Sequence, residues 1–209
     1  MDIQFYGANC VALSYKSTRL VVDDNLAELG KKSVSGPNDV VLFTSLSEQI
    51  TSVKAKLVID NPGEYEVADI SIIGIPARSH MDEEGKQTTV MYKLNAGDTN
   101  ILISGHVYPR FSEQQIETIG SVDALIAPVG GHGYTLDPAG ALTLIKAIEP
   151  KLLIPTHFDD KELKYPVPQL SLTDALKELS MEPKETVIKL RIKPAELGDV
   201  TQLVVLQTS

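Results

Sequence analysis

The stretch SVDALIAPVGGHGYTLDPAGA, residues 121–141, contains the clearest run of structural signals in the chain. Its apolar segment 124–129 predicts a buried strand, and the glycines that follow permit a tight turn. Asp137 is suited to cap a helix, and Pro138 is suited to the first helical position. A strand, a glycine-rich turn and a helix over 137–150 are therefore predicted in direct succession.

Outward from this stretch, the apolar segments are mostly short and rich in β-branched residues, which is typical of strands. The further candidate strands cover 3–7, 10–15, 18–23, 40–44, 56–60, 69–77, 88–95, 100–105, 152–156, 186–193 and 201–207. Further helices are predicted over 45–55, 112–120 and 171–180, whereas a turn is predicted over 61–66 from its Asn-Pro-Gly. This order predicts an α/β protein in which helices flank two stacked sheets, in four layers and in one domain over 1–209.

Composition and charge narrow the classes of function. The 209 residues are 43% hydrophobic and 22% charged, as in ordinary soluble proteins. The net charge of -9 disfavours contact with a phosphate backbone, so no nucleic-acid partner is expected. The sequence shows neither a signal-peptide pattern nor an apolar run of membrane-spanning length, so a cytoplasmic protein without a membrane partner is expected. The one cysteine, Cys10, begins an apolar strand and is interpreted as a small buried residue.

Four segments, in this order and spacing, resemble the metallo-β-lactamase superfamily. They are FYGANCVALSYKSTRLVVD (5–23), NPGEYEVADISIIGIPA (61–77), the stretch 121–141 and IEPKLLIPTHF (148–158). The chain resembles most the branch that contains ascorbate-6-phosphate lactonase and many uncharacterised zinc-dependent hydrolase-like proteins. The resemblance implies an αββα sandwich with one or two metal ions at one edge of the sheets, where a metal-bound water becomes a nucleophile.

The chief metal-binding motif of that superfamily is a threonine followed by His-x-His-x-Asp-His. The matching segment is Thr44 followed by SLSEQI. The resemblance places a serine, a second serine, a glutamine and an isoleucine at the four ligand positions, namely Ser45, Ser47, Gln49 and Ile50. Hydroxyl and amide groups bind transition metals poorly and isoleucine cannot bind them, so the motif is interpreted as degenerate. Ser45 and Glu48 instead match a capping box, which predicts the start of a helix.

The chain has four histidines, and three of them match ligand-type positions of the superfamily. His80 matches a third histidine ligand, His106 stands where a bridging aspartate is usual, and His157 matches the last histidine. His132 lies in the glycine-rich loop, which is expected near the same edge. Two interpretations stay open: the four imidazoles bind a single metal ion, or they are relics that make hydrogen bonds in loops.

Asp23, Glu64 and Tyr65 are three further candidates for the site. Asp23 either orients a loop of the site or simply ends a strand and begins a turn. The resemblance implies that Glu64 and Tyr65 border the cleft.

The sequence thus leaves open whether the protein is an enzyme. The favoured hypothesis is a catalytically impaired relative of a metal-dependent hydrolase, without a cofactor, that has a structural role or binds a small molecule. The alternative is an active hydrolase of lactones, phosphoesters or amides, with one zinc or other divalent ion held by the four histidines. A third hypothesis is a subunit of a complex that uses the sandwich edge as an interface. The resemblance also implies a homo-oligomer.

Overall fold

Two β-sheets form the body of the protein in a computed structural model that describes residues 1–45 and 53–209. The strands are β1 (Asp2–Gly7), β2 (Cys10–Tyr15), β3 (Thr18–Val22), β4 (Val40–Leu42), β5 (Leu57–Ile59), β6 (Gly63–Val67), β7 (Ile70–Ala77), β8 (Thr89–Ala96), β9 (Thr99–Ile103), β10 (Ala124–Pro128), β11 (Leu152–Thr156), β12 (Glu185–Val187), β13 (Lys189–Arg191) and β14 (Gln202–Leu206). The helices are α1 (Glu113–Ile119), α2 (Pro138–Ile148) and α3 (Leu172–Leu179). Sheet I has the order β13-β1-β2-β3-β4-β5, and sheet II has the order β12-β14-β11-β10-β9-β8-β7-β6.

One apolar core lies between the two sheets. Ile3, Phe5 and Leu13 of sheet I belong to the same buried cluster as Ile72 and Leu94 of sheet II. Alternate residues of these strands point inward because successive side chains of a strand lie on opposite faces. Burial of this apolar surface is the main force that holds the sheets together.

The outer faces of the sheets are covered differently. Helices α1, α2 and α3 pack on sheet II, where Ile119, Leu144 and Leu179 join a second buried cluster with residues of the strands. Within the described ranges, sheet I is covered by irregular segments that contribute Leu26 and Leu163. The predicted α/β sandwich of two sheets is confirmed. The helix predicted over 45–55 and its capping box fall largely on residues 46–52, outside the described ranges.

The helix ends follow the capping residues in the sequence. Ser112 accepts the backbone N–H of Gln115, and Asp137 accepts that of Gly140 at 2.7 Å. Ser171 does the same for α3. These side chains satisfy N–H groups that have no partner within the first turn of a helix. The helices predicted over 112–120, 137–150 and 171–180 are confirmed.

Two of the predictions for strands and turns were wrong. The segment 61–66 was predicted to be a turn, yet only residues 61 and 62 bend and Gly63–Val67 forms strand β6 at the edge of sheet II. The segment 186–193 was expected to be one strand, but it divides between β12 in sheet II and β13 in sheet I. The exposed Ile188 lies at the change of sheet. No helix of the described ranges is long and apolar enough to cross a membrane.

The strand directions bring many carboxyl ends to one edge of the sandwich. Strands β3, β4 and β5 are parallel to one another, as are β9, β10 and β11. Strand β7 runs in the same direction as β9, because each is antiparallel to β8. Ligand sites of α/β sheets usually lie at such carboxyl ends.

Thr44 joins the two sheets at this edge. Its N–H and its hydroxyl both donate to the carboxylate of Asp23, each at 2.7 Å. Its carbonyl accepts the N–H of Val90 and the hydroxyl of Thr89 on β8, also at 2.7 Å each. These contacts of Asp23 favour the interpretation in which it orients a loop of the site over the one in which it only ends a strand. Gly105, after β9, packs directly against the Thr44 side chain.

We expect Gly105→Ala to lower the free energy of unfolding by about 3 kcal/mol. The added Cβ would lie 2.5 Å from Thr44 Oγ1, and φ at Gly105 is +59°, which disfavours a side chain. Gly133→Ala is the matched control, because φ there is +75° but no atom lies within 4 Å of the added Cβ. Urea denaturation measures both variants. Equal losses in the two variants would contradict the packing against Thr44.

Candidate functional site

A cavity opens at the edge where the carboxyl ends of the strands meet. It is lined by residues from both sheets, namely Asn9, Asp23, Asn25, Phe43, Thr44, Ser45, Ser79, Met81, Thr89, His106, Tyr134 and His157. Most of these residues follow the end of a strand, which explains why residues far apart in the sequence meet here. The position of the cavity makes it the candidate functional site.

Two of the predicted histidines meet in the cavity. The rings of His106 and His157 lie edge to face, with centroids 4.8 Å apart. His106 comes just after β9, and His157 directly follows β11 with a φ of +52°. Tyr134 closes this group, with its ring 5.5 Å from that of His106 and 5.8 Å from that of His157. The sequence left open whether the four histidines converge, and the structure brings the rings of His106 and His157 into contact.

Asn9 holds the ring of His106. Its amide Nδ2 donates to His106 Nε2 at 2.9 Å, and its Oδ1 accepts the hydroxyl of Thr156 at 2.9 Å. An amide nitrogen can only donate, so Nε2 of His106 is unprotonated and the neutral ring carries its proton on Nδ1. Asn9 thus fixes both the orientation and the tautomer of His106.

Gln169 holds the ring of His157 in a similar way. Its Oε1 lies 3.1 Å from His157 Nδ1, while its Nε2 donates to the carbonyl of Val167. An amide oxygen can only accept, so Nδ1 of His157 carries the proton and Nε2 is the unprotonated nitrogen. Gly130 packs against the His157 carbonyl and Gln169, where a Cβ would collide with both. This close approach explains why the first residue of the predicted turn, Gly130, is a glycine.

Burial keeps both rings neutral. Burial lowers the pKa of His106 well below its usual value, and the neighbouring His157 and His80 lower it further. Burial also lowers the pKa of His157, to about 4, although the hydrogen bond to Gln169 opposes this change. A protonated imidazole here would lose its hydration without an opposite charge in contact.

The other two predicted histidines occupy different surroundings. His80 lies beside His106, because its N–H donates to the carbonyl of His106 at 2.7 Å. Nδ1 of His80 and Nδ1 of His106 are both buried without a hydrogen-bond partner. His132 has a φ of +56°, and its side chain is exposed on the glycine-rich loop. Among residues 1–45 and 53–209, no three His, Cys, Asp or Glu side chains are grouped so as to hold a metal ion.

The segment that matches the metal-binding motif is described only as far as its first ligand position. Ser45 lines the cavity directly after Thr44 and forms a β-bridge with Thr89. Ser47, Gln49 and Ile50 lie outside the described residues. Glu64 and Tyr65, which the resemblance places at the cleft, belong to β6 and are not among the residues that line this cavity.

Several residues of the site were missed in the sequence. Asn25, Ser79, Thr89 and Tyr134 line the cavity, and Gln169 orients His157. Asn25, Ser79 and Tyr134 lie in segments that follow strand ends, and this position in the sequence could have marked them as candidates. Gln169 lies in an irregular segment, and no pattern in the sequence marked it. Cys10 was interpreted correctly, since it is fully buried and burial raises the pKa of its thiol.

Comparisons with known proteins agree with the fold. A model of the Beta-lactamase superfamily domain matches residues 2–157. A UPF0173 metal-dependent hydrolase of Pyrococcus horikoshii is 25% identical over 145 residues, covering 65% of this chain and 62% of the relative. Another, from Thermoplasma acidophilum, is 28% identical over 149 residues, covering 67% of this chain and 63% of the relative. The chain thus spans about three fifths of the length of these curated relatives.

Solved structures share the whole fold. A metallo-β-lactamase superfamily protein of Thermotoga maritima matches with a TM-score of 0.74 and 24% identity, covering 98% of this chain and 97% of the other. A metallo hydrolase of Ignicoccus hospitalis matches with a TM-score of 0.63 and 15% identity, covering 99% and 95%. At these identities the likeness concerns the fold alone.

The depressed pKa of His157 makes the stability of the fold depend on pH. The unfolded chain has the ordinary pKa near 6.5, so between about 6.5 and 4 the unfolded state binds more protons than the native state. The contribution of His157 is therefore complete above about pH 6.5 and is lost as the pH falls toward 4. We expect this loss to be on the order of 3 kcal/mol, measured by urea denaturation across this pH range.

His157→Asn tests this expectation, because asparagine tolerates a positive φ better than most residues. The variant should lose less stability than the parent between pH 6.5 and 4. His132→Asn is the matched control, since His132 also has a positive φ but is exposed. If His157→Asn lost as much stability as the parent between pH 6.5 and 4, the result would contradict the burial of a neutral His157.

Proposed function

The chain belongs to the β-lactamase superfamily, and within it we propose a catalytically impaired member that binds a small molecule in the edge cavity without a catalytic metal. The main support for this proposal is that the His106 imidazole already accepts a hydrogen bond from a side chain of the protein. Its Nε2 accepts the amide of Asn9 at 2.9 Å, and a nitrogen lone pair that accepts this hydrogen bond cannot bind a metal ion at the same time.

The surroundings of His106 support this proposal. The hydroxyl of Thr156 donates to Asn9 Oδ1, which turns the Asn9 amide nitrogen toward His106. His157 is held independently through Gln169. The two imidazoles thus have a supporting hydrogen-bond network that consists of amides and a hydroxyl, and this network orients them without a metal.

The donor atoms do not fit the two-ion centre that the superfamily implies. Catalytic zinc sites use at least three protein ligands, usually His or carboxylate. Ser45 stands at the first ligand position of the motif, and the chain has Ser47, Gln49 and Ile50 at the other three. The described part of the chain contains no group of three metal-binding side chains. The proposed binding role therefore involves no metal-dependent step.

A second candidate function rests on a separate observation. Nδ1 of His80 and Nδ1 of His106 are buried without partners, and His106 contacts His157. Buried polar nitrogens without partners are rare, and a bound ion is one explanation of them. This candidate is a hydrolase of lactones, phosphoesters or amides with a single-ion site, in line with the names of the UPF0173 metal-dependent hydrolases.

The metal content of the purified full chain tests the proposal. We expect zinc, iron and manganese well below one ion per chain when the protein is produced without added metal and measured by elemental mass spectrometry. The matched positive control is the fourfold variant Ser45→His, Ser47→His, Gln49→Asp and Ile50→His, which supplies the ligands of the motif and should gain metal. One zinc per parent chain would contradict the proposal.

The second candidate is tested by cobalt titration. A single-ion histidine site would give a cobalt absorption spectrum that saturates at one ion per chain and disappears in His106→Ala. His132→Ala is the control that should leave such a spectrum unchanged, because His132 is exposed. We expect no saturable spectrum in the parent, since the Asn9 hydrogen bond occupies His106 Nε2.

A further inference from the structure

The two sheets end in four edge strands, and these strands differ in the side chains that they expose. Strands β6 and β12 carry exposed glutamates, and β13 carries an exposed lysine and an exposed arginine. Charged side chains on an edge strand oppose its pairing with another chain. On β5 the exposed side chains are instead Leu57 and Val58, each 44% exposed. Strand β5 therefore lacks the charges that protect the other three edges.

The two exposed side chains of β5 lie at the rims of two apolar layers. Leu57 is paired with Val40, which belongs to the core between the sheets. Val58 is paired with Val41, which belongs to the cluster on the outer face of sheet I. A further strand beside β5 would cover both exposed side chains and extend both layers. Burial of this apolar surface favours such pairing.

The backbone of β5 is already held in place on the side that faces β4. The Lys56 N–H donates to the Asp39 carbonyl at 2.8 Å. At the other end of the strand, the Ile59 carbonyl accepts the Phe43 N–H at 2.9 Å and the Tyr92 hydroxyl at 3.1 Å. Strand β5 ends sheet I, and an edge strand presents unpaired main-chain groups on its outer side. A partner would therefore bind an ordered edge, which lowers the entropic cost of association.

The charges that flank β5 indicate which partner fits. Lys56 precedes the strand and Asp60 follows it, and both side chains are exposed. Neither forms an ion pair within the described ranges. When two copies of β5 run antiparallel, Lys56 of each copy lies near Asp60 of the other. A parallel arrangement would instead place like charges side by side, which is unfavourable.

We propose that two copies of this chain associate through β5, paired antiparallel about a two-fold axis near Val58, so that sheet I continues from one copy into the other. Use of the same surface on both copies gives a closed, symmetric dimer. Because the strand is short, we expect a dissociation constant on the order of 10 µM. This inference does not rest on the proposed function, since β5 contributes none of the described residues that line the edge cavity.

Sedimentation velocity of the full chain tests the dimer. We expect the parent to change from monomer to dimer as its concentration rises from about 1 to about 200 µM. Val58→Lys places two lysines face to face near the axis and should keep the chain monomeric over the same range. Val200→Lys is the matched control, because Val200 is 78% exposed and precedes β14, so this variant should dimerise like the parent. Urea denaturation shows whether each variant is folded.

An exchange of charges tests the antiparallel arrangement, and it does not depend on the folding of Val58→Lys. Lys56→Asp and Asp60→Lys each place like charges together at both ends of the paired strands. Each single variant should weaken the dimer about tenfold. The double variant Lys56→Asp with Asp60→Lys restores both pairs of opposite charges and should dimerise like the parent.

Several results would overturn the inference. These are a parent that stays monomeric up to about 200 µM, a dimer that persists in Val58→Lys, equal loss in Val58→Lys and Val200→Lys, or a double charge variant no stronger than the single ones. A failure of the proposed function is distinguishable, because it would appear in the metal content of the chain. The association of the two copies is measured separately from that content.

Discussion

The arrangement of the site depends on one hydrogen-bonded carboxylate. Asp23 accepts both the N–H and the hydroxyl of Thr44, and it does so with a left-handed φ of +48°. Thr44 in turn fixes β8 through its carbonyl and leaves room only for a glycine at 105. This junction holds the two sheets together at the edge where His106 and His157 lie in contact.

Around this junction, the protein keeps the framework of the superfamily but supports its histidines differently. The imidazoles are oriented by Asn9, Thr156 and Gln169, all of them neutral. These groups engage Nε2 of His106 and Nδ1 of His157.

Local signals predicted most of the fold but only part of the site. The caps Ser112, Asp137 and Ser171 fixed the helix starts, because these side chains act within one turn. Strand β6 was missed, since an edge strand with exposed glutamates depends on pairing with β7 and has little pattern of its own. The sequence marked His106 and His157 as candidates but could not show that their rings meet. Gln169 was not marked at all, because its role arises from a contact with His157 that only tertiary packing creates.

The protonation and coordination of His106 test the central claim most directly. Long-range proton–nitrogen NMR of the full chain distinguishes a protonated, an unprotonated and a metal-bound imidazole nitrogen. We expect a proton on Nδ1 and an unprotonated Nε2 that accepts a hydrogen bond, with the same spectrum before and after EDTA treatment and after addition of one equivalent of zinc. A metal-bound nitrogen of His106 in the protein as purified would contradict it.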